Sequence, residues 1–209
     1  MLSPRDHFYP QFDRFVREVA SRRVILDIGT YHAFRKELAA YADLLDKPTY
    51  FAMDYRIRSV PQGVRGPDVD GDACRMPFRS ESVDAVICKD VLEHVVDPAG
   101  AVREIHRVVK RGGLAYCSVP FLHPYHGDPK RGLPDFWRFT EDGLKCLFSR
   151  FESVEIVRAG GALFVLKAFL PSQLNRWLFA PPFMPLANSL DRFSLRRHAT
   201  NMFLVLARK

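Results

Sequence analysis

The sequence predicts an α/β domain, a mainly parallel sheet with helices on both faces. Three observations carry that expectation. Residues 23–28, RVILDI, form a β-branched apolar run that stops on Gly29, as a first parallel strand does. Residues 83–88, VDAVIC, form a second apolar run between a polar turn and Lys89-Asp90, the pattern of a buried parallel strand. Around these runs apolar residues recur at helical spacing, so strands and helices alternate as in βαβ units.

The elements follow in chain order. Residues 6–20 place Phe8, Phe12, Phe15, Val16 and Val19 at helical spacing among charges, an amphipathic helix closing one side of the sheet. After the strand at 23–28 come a helix over 31–45, a strand over 49–53 ending on Asp54, and a short strand over 68–70. Past Asp90, Val91, Leu92, Val95 and Val96 predict the start of a helix with Glu93-His94 inside it. Asp97-Pro98 supplies a cap and a first-turn proline for the next helix, which carries Val102, Ile105, Val108 and Val109 on one face and is expected to end on Arg111-Gly112-Gly113. Residues 114–119 make the fifth strand. Thr140 caps a short helix with Glu141 and Asp142 in its first turn, and strands are expected over 151–158 and 201–207. Between those strands, residues 160–199 read as a helical insertion: two apolar helices broken by Pro181-Pro182 and ending in a basic stretch with Arg192, Arg196 and Arg197.

Length and composition bound the reading. At 209 residues with 47% hydrophobic residues, the chain fits one domain over 1–209 with a full core. A formal charge of +7 suits an anionic partner, but the charge is spread along the chain. Nucleic acid has only that charge in its favour. Cys74, Cys88, Cys117 and Cys146 are widely spaced without a CxxC pair, which fits reduced thiols in a cytoplasmic protein. No apolar run approaches the roughly 20 residues that a spanning helix needs. For the 160–199 insertion, a lid or simple packing comes first and contact with an anionic membrane surface second. The oligomeric state is not legible.

The ordered set VILDIG, GDA, PF, SVDAVIC, DVLEH and VVKRGG, running from about residue 24 to 151, resembles the class I S-adenosylmethionine-dependent methyltransferases, particularly the type 11 group. That resemblance implies a Rossmann-like, seven-stranded, mainly parallel sheet with a terminal antiparallel pair. It implies S-adenosylmethionine as cofactor, with Asp27, Gly29, Thr30, Asp54, Tyr55, Asp72, Ala73 and Lys89 around it. Ligands of open α/β sheets sit outside the carboxyl ends of the strands, where these residues fall. Asp54 matches the residue that accepts hydrogen bonds from both ribose hydroxyls, and Asp72 the one that accepts from the adenine amino group, with Ala73 offering its amide. An aspartate in an ordinary turn is the plainer account of each. The first loop departs from the family: Tyr31 stands where a second glycine is expected, and Ala33 follows. Either the loop takes another path or cofactor binding is weakened.

Residues 120–140, PFLHPYHGDPKRGLPDFWRFT, follow the fifth strand, where the methyl acceptor is expected. The HP, YH and DFWRFT pattern resembles type 11 members, some of which act in sugar and glycan pathways. That makes a small molecule or glycan precursor the expected partner, with Tyr125 and Trp137 stacking on it and Arg138 holding an acid or phosphate. His126 is the candidate general base and His94 a second catalytic candidate, although a histidine on an apolar helix is ordinarily structural. Phe136 and Phe139 packing the loop, and Arg138 pairing with a local carboxylate, are the plainer accounts. His123, His126 and Asp128 have the chemistry of metal ligands, but no second cluster accompanies them and no metal is expected. The leading reading is methyl transfer to a small acceptor. The other is a non-catalytic binding or scaffold protein that kept the fold.

Overall fold

A computed structural model describes residues 10–29, 49–55, 66–129, 132–171 and 199–209. The helix expected over 31–45, Phe8 at the head of the first helix, Thr30, Tyr31, Ala33, and the second apolar helix and basic stretch of the insertion lie outside the described residues.

Seven strands form one sheet: β1 (Val24–Ile28), β2 (Thr49–Asp54), β3 (Val69–Asp70), β4 (Val83–Lys89), β5 (Val109–Pro120), β6 (Ser153–Ala159) and β7 (Met202–Arg208). Their order is β3-β2-β1-β4-β5-β7-β6. Strands β1 to β5 pair in parallel, and β7 runs antiparallel between β5 and β6. Strand order reverses between β1 and β4, so the ligand crevice of such a sheet opens at their carboxyl ends.

Alternation along the strands divides the core into two layers. On one face Ile25, Ile87, Leu114, Tyr116, Leu204 and Leu206 receive Phe15, Val16 and Val19 of helix α1 (Pro10–Ala20). Each of those three helix residues is fully buried, worth about 1.5–3 kcal/mol relative to exposure. On the other face Leu26, Val86, Cys88 and Cys117 receive Val102, Ile105 and Val108 of α2 (Pro98–Val108) and Leu144 of α3 (Glu141–Leu147). Helix α4 (Ala162–Phe169) begins the 160–199 segment. Among the described residues, no helix is long and apolar enough to cross a membrane. Cys88 and Cys117 are register partners on β4 and β5, and all four cysteines are free thiols.

Both expected caps form: Asp97 accepts from Gly100 N–H and Thr140 from Gly143 N–H. Two expectations are corrected. Arg111-Gly112-Gly113 does not end α2. That helix stops at Val108 because Val109 is already extended and pairs with Val83. The register then jumps to Ala85 opposite Leu114, so 110–113 bulge out of β5, with Gly112 at φ +71 and its N–H on the carbonyl of Lys209. The helix expected after Asp90 is also absent: Leu92–His94 form one 3₁₀ turn, and Val95 leaves it extended. The Glu93 carbonyl that a longer helix would need instead accepts the amides of Phe136 and Trp137.

Candidate active site

The carboxyl ends of β1, β2 and β4 gather most of the expected cofactor residues. Gly29 ends β1 at φ +74, its N–H bonded to the carbonyl of Met53. A Cβ there would stand 2.3 Å from Val91 Cγ2, so both backbone angle and space require glycine. Asp27 lies deeper: it is buried on the α1 side of the sheet and accepts the hydroxyl of Tyr50. Asp54 ends β2 and accepts the amide of Tyr55 at 2.7 Å. Burial outweighs that donor and raises the Asp54 carboxyl pKa, with Asp70 adding repulsion. A half-buried carboxylate in this state is stabilised by further donors, as a pair of ribose hydroxyls would be. The Gly71 amide bonds to the Asp54 carbonyl, which ties the 71–73 loop to β2. Asp72 is exposed and accepts from Cys74 N–H at 2.8 Å, while Ala73 is buried beside it. These observations fit the cofactor at the strand ends that the described residues form.

The loop holding Asp72 is anchored from α2. Glu104 accepts from Met76 N–H at 2.8 Å and from Arg107, whose guanidinium also reaches the carbonyls of Phe78 and Met76. Arg107 is the main cause of the Glu104 carboxyl lying below its ordinary pKa.

At the end of β4, Lys89 Nζ bonds to Asp90 Oδ2 at 2.6 Å. Asp90 itself has φ +53, a left-handed conformation uncommon for a residue with a side chain. Ser118 on β5 holds it there: its hydroxyl donates to Asp90 Oδ1 at 2.6 Å, and its carbonyl accepts the Asp90 amide. This reversal throws the chain into the 3₁₀ turn and carries Glu93 under the 120–140 loop.

Glu93 is only 1% exposed. Among the described residues, no hydrogen bond of good geometry reaches either of its carboxylate oxygens. His126 Nε2 lies 3.5 Å and His94 Nε2 3.9 Å from Oε1. Burial raises the Glu93 pKa, and the Glu93 carboxylate is the main cause of a raised His126 pKa. The His94 and His126 rings meet edge to face at 4.9 Å, and His123 meets His126 in the same way. Burial lowers the pKa of His123.

The structure therefore brings the two expected catalytic histidines together around Glu93, which the sequence placed beside His94 without a role of its own. Its signal was in the chain: a Glu-His pair three residues after the aspartate that follows β4. Asp128, grouped with His123 and His126 in the sequence, instead exchanges backbone hydrogen bonds with Leu133.

Of the expected acceptor residues, Tyr125 and Trp137 are 67% and 43% exposed, and the Trp137 indole N–H donates to the carbonyl of Val95. Arg138 takes the plainer course. Its donors reach both carboxylate oxygens of Asp135 and the carbonyls of His123, Pro124 and Trp137. All five guanidinium hydrogens are thus engaged inside the loop, so Arg138 shapes it and has none left to hold an acid or phosphate. Asp135, held well below the usual carboxylate range by Arg138, also accepts the His126 amide.

The family described as "Methyltransferase domain" matches residues 26–117. A demethylmenaquinone methyltransferase of Roseiflexus castenholzii is 38% identical over 96 residues, 44% of this chain and 40% of that protein. One from Paenarthrobacter aurescens is 31% identical over 138 residues, 57% of this chain and 54% of that protein. The chain thus spans about half or less of the length of these relatives. Among solved structures, a SAM-dependent methyltransferase from Archaeoglobus fulgidus superposes with a TM-score of 0.59 at 15% identity, covering 98% of this chain and 94% of that one.

Proposed function

We propose that this chain is a class I S-adenosylmethionine-dependent methyltransferase that methylates a hydroxyl of a small acceptor of the sugar or glycan-precursor kind, a reading supported by the methyltransferase-domain match over residues 26–117. The observation that supports the reading best is the buried Glu93 beside His126, beneath the 120–140 loop and next to the strand ends that suit the cofactor.

Bound S-adenosylmethionine supplies a methyl group already activated by sulfonium charge, so the protein's task is mainly alignment. Asp54 accepts the ribose hydroxyls and Asp72 the adenine amino group, while Gly29 lets bare backbone approach. Lys89, Ala73 and Tyr55 border that pocket; Thr30 belongs to the same set, outside the described residues. Tyr125 and Trp137 stack on the acceptor, and His126, backed by Glu93, takes the hydroxyl proton as the oxygen–methyl bond forms. His94 positions Glu93. One domain over 1–209 includes residues 160–199 as an insertion before the last strand.

A second reading follows from the relatives: a quinone-precursor ring as acceptor, since both are named as demethylmenaquinone methyltransferases. Exposed aromatics stack on a ring as readily as on a sugar face. The deciding experiment incubates the protein and S-adenosylmethionine with hydroxylated sugars, nucleotide sugars and demethylated quinone headgroups, following S-adenosylhomocysteine release. Turnover with the sugars only supports the first reading, and turnover with the headgroups only supports the second. Absent cofactor binding at millimolar concentration overturns both in favour of a scaffold.

A further inference from the structure

We infer that Glu93, His94 and His126 form a binding site for a divalent transition-metal ion. Three electron-pair donors meet at one place: Glu93 Oε1 lies 3.5 Å from His126 Nε2 and 3.9 Å from His94 Nε2, and the three ligand atoms lie within 4.8 Å of one another. Ligands about 2.1 Å from a shared ion stand about 3–4.2 Å apart, depending on the angle between them. Both distances to the carboxylate fall inside that range.

The other side of each ring decides what the trio presents. His94 Nδ1 faces the carbonyl of Pro134. His126 Nδ1 faces Asp135 Oδ2 at 3.3 Å and the carbonyl of Pro124 at 3.3 Å. A nitrogen between such acceptors carries the hydrogen, so in each neutral ring Nε2 is left with a lone pair. Two lone pairs and a carboxylate that is 1% exposed then face one another with no donor of good geometry between them among the described residues. Acceptors arranged in this way repel unless positive charge lies among them. Two imidazoles and one carboxylate suit zinc, iron, cobalt or manganese better than calcium or magnesium.

The surroundings match those of metal ligands in general. A ligating histidine ordinarily donates its second nitrogen to a carboxylate or carbonyl, which fixes its tautomer and direction. His126 has Asp135 in that place, itself clasped by Arg138, and His94 has Pro134. Glu93 is held by the amides that bind its own carbonyl. The trio is open on one side, since the His126 side chain is 31% exposed.

The role of the ion rests on the methyl-transfer reading, although its binding does not. With the ion bound, His126 is a ligand and not the base: an acceptor hydroxyl entering as a further ligand would be acidified by the metal's charge and would give its proton to solvent through the open side of the trio. The acceptor class is then a hydroxyl compound able to ligate a metal, such as a vicinal diol or an enediol.

The test uses the full chain stripped by chelator, titrated with Zn²⁺ by calorimetry and with Co²⁺ by visible absorption. One ion should bind per chain, with cobalt ligand-field bands, and both Glu93→Gln and His126→Ala should weaken binding at least tenfold. His106→Ala, a histidine packed on Phe151, should leave it unchanged. His126→Ala removes a loop side chain, so it remains informative if Glu93→Gln does not fold. Absent cobalt bands, or affinity unchanged in His126→Ala, would overturn the site and leave a proton as the shared charge. S-adenosylhomocysteine binding, measured on the same metal-free protein, reports separately on the methyltransferase reading.

Discussion

Glu93 and His126 meet at 3.5 Å, side chain to side chain, while the backbone of the same glutamate holds the loop that carries the histidine. Its carbonyl accepts the amides of Phe136 and Trp137, and the Trp137 indole donates to the carbonyl of Val95. The 3₁₀ turn after β4 and the loop after β5 are therefore one unit. Whatever moves the loop also moves the charge facing Glu93.

The first prediction concerns the latch of that loop. Asp135 has a buried side chain and binds Arg138 through both oxygens, at 2.5 and 2.7 Å. Asp135→Asn should cost about 2 kcal/mol, which for a chain of this size lowers the melting temperature by roughly 4–8 °C. Arg138→Lys should not preserve stability, because an ammonium cannot form the paired contact. An unchanged melting curve for both variants would show that the loop is held elsewhere.

The second is a pH dependence in the loop that follows Asp72. Arg107 holds the Glu104 carboxyl below its ordinary pKa, so this contribution to stability is complete above the unfolded value of about 4.3. As pH falls from there through the lower folded value, the unfolded state binds protons first and the contribution is lost. Melting temperature should fall from pH 5 to pH 3, and Glu104→Gln should melt lower at pH 7 and lose less over that interval. Parallel curves for the two proteins would assign the acid sensitivity to other groups.

The third tests the end of β1. Gly29→Ala adds a Cβ at φ +74, costing about 1 kcal/mol in backbone strain alone. It also collides with Val91 Cγ2. In a Val91→Ala background the same substitution should cost only the backbone part. A double-mutant cycle by thermal melting reads the difference, and strict additivity would deny the collision.

The fourth tests the cofactor pocket. Asp54→Asn should weaken S-adenosylhomocysteine about 10–100-fold, the loss expected when charged hydrogen bonds to hydroxyls become neutral ones. Calorimetry on the purified variant gives the number directly. Full affinity in Asp54→Asn would remove the ribose from the end of β2.

Much of the fold was written in local pattern. The apolar runs ending in Gly29, Asp54 and Lys89-Asp90 marked β1, β2 and β4, and the caps at Asp97 and Thr140 stood where their side chains required them. These features depend on neighbours in the chain, so the chain displays them. The two misread boundaries depend on distant partners. Val109 joins β5 because Val83 pairs with it, and the turn at Glu93 stays short because Phe136 and Trp137 take its carbonyl.

The sequence by itself determined the parallel α/β sheet, the resemblance to a methyltransferase family and the strand ends that suit a cofactor, since periodicity and strand-end residues follow from backbone geometry. Only the tertiary structure decided that Glu93 is buried against His94 and His126, and that Arg138 spends its donors on Asp135 and three carbonyls of its own loop. Burial and pairing arise where chain segments meet, and no spacing in the sequence records that Glu93 and His126 meet.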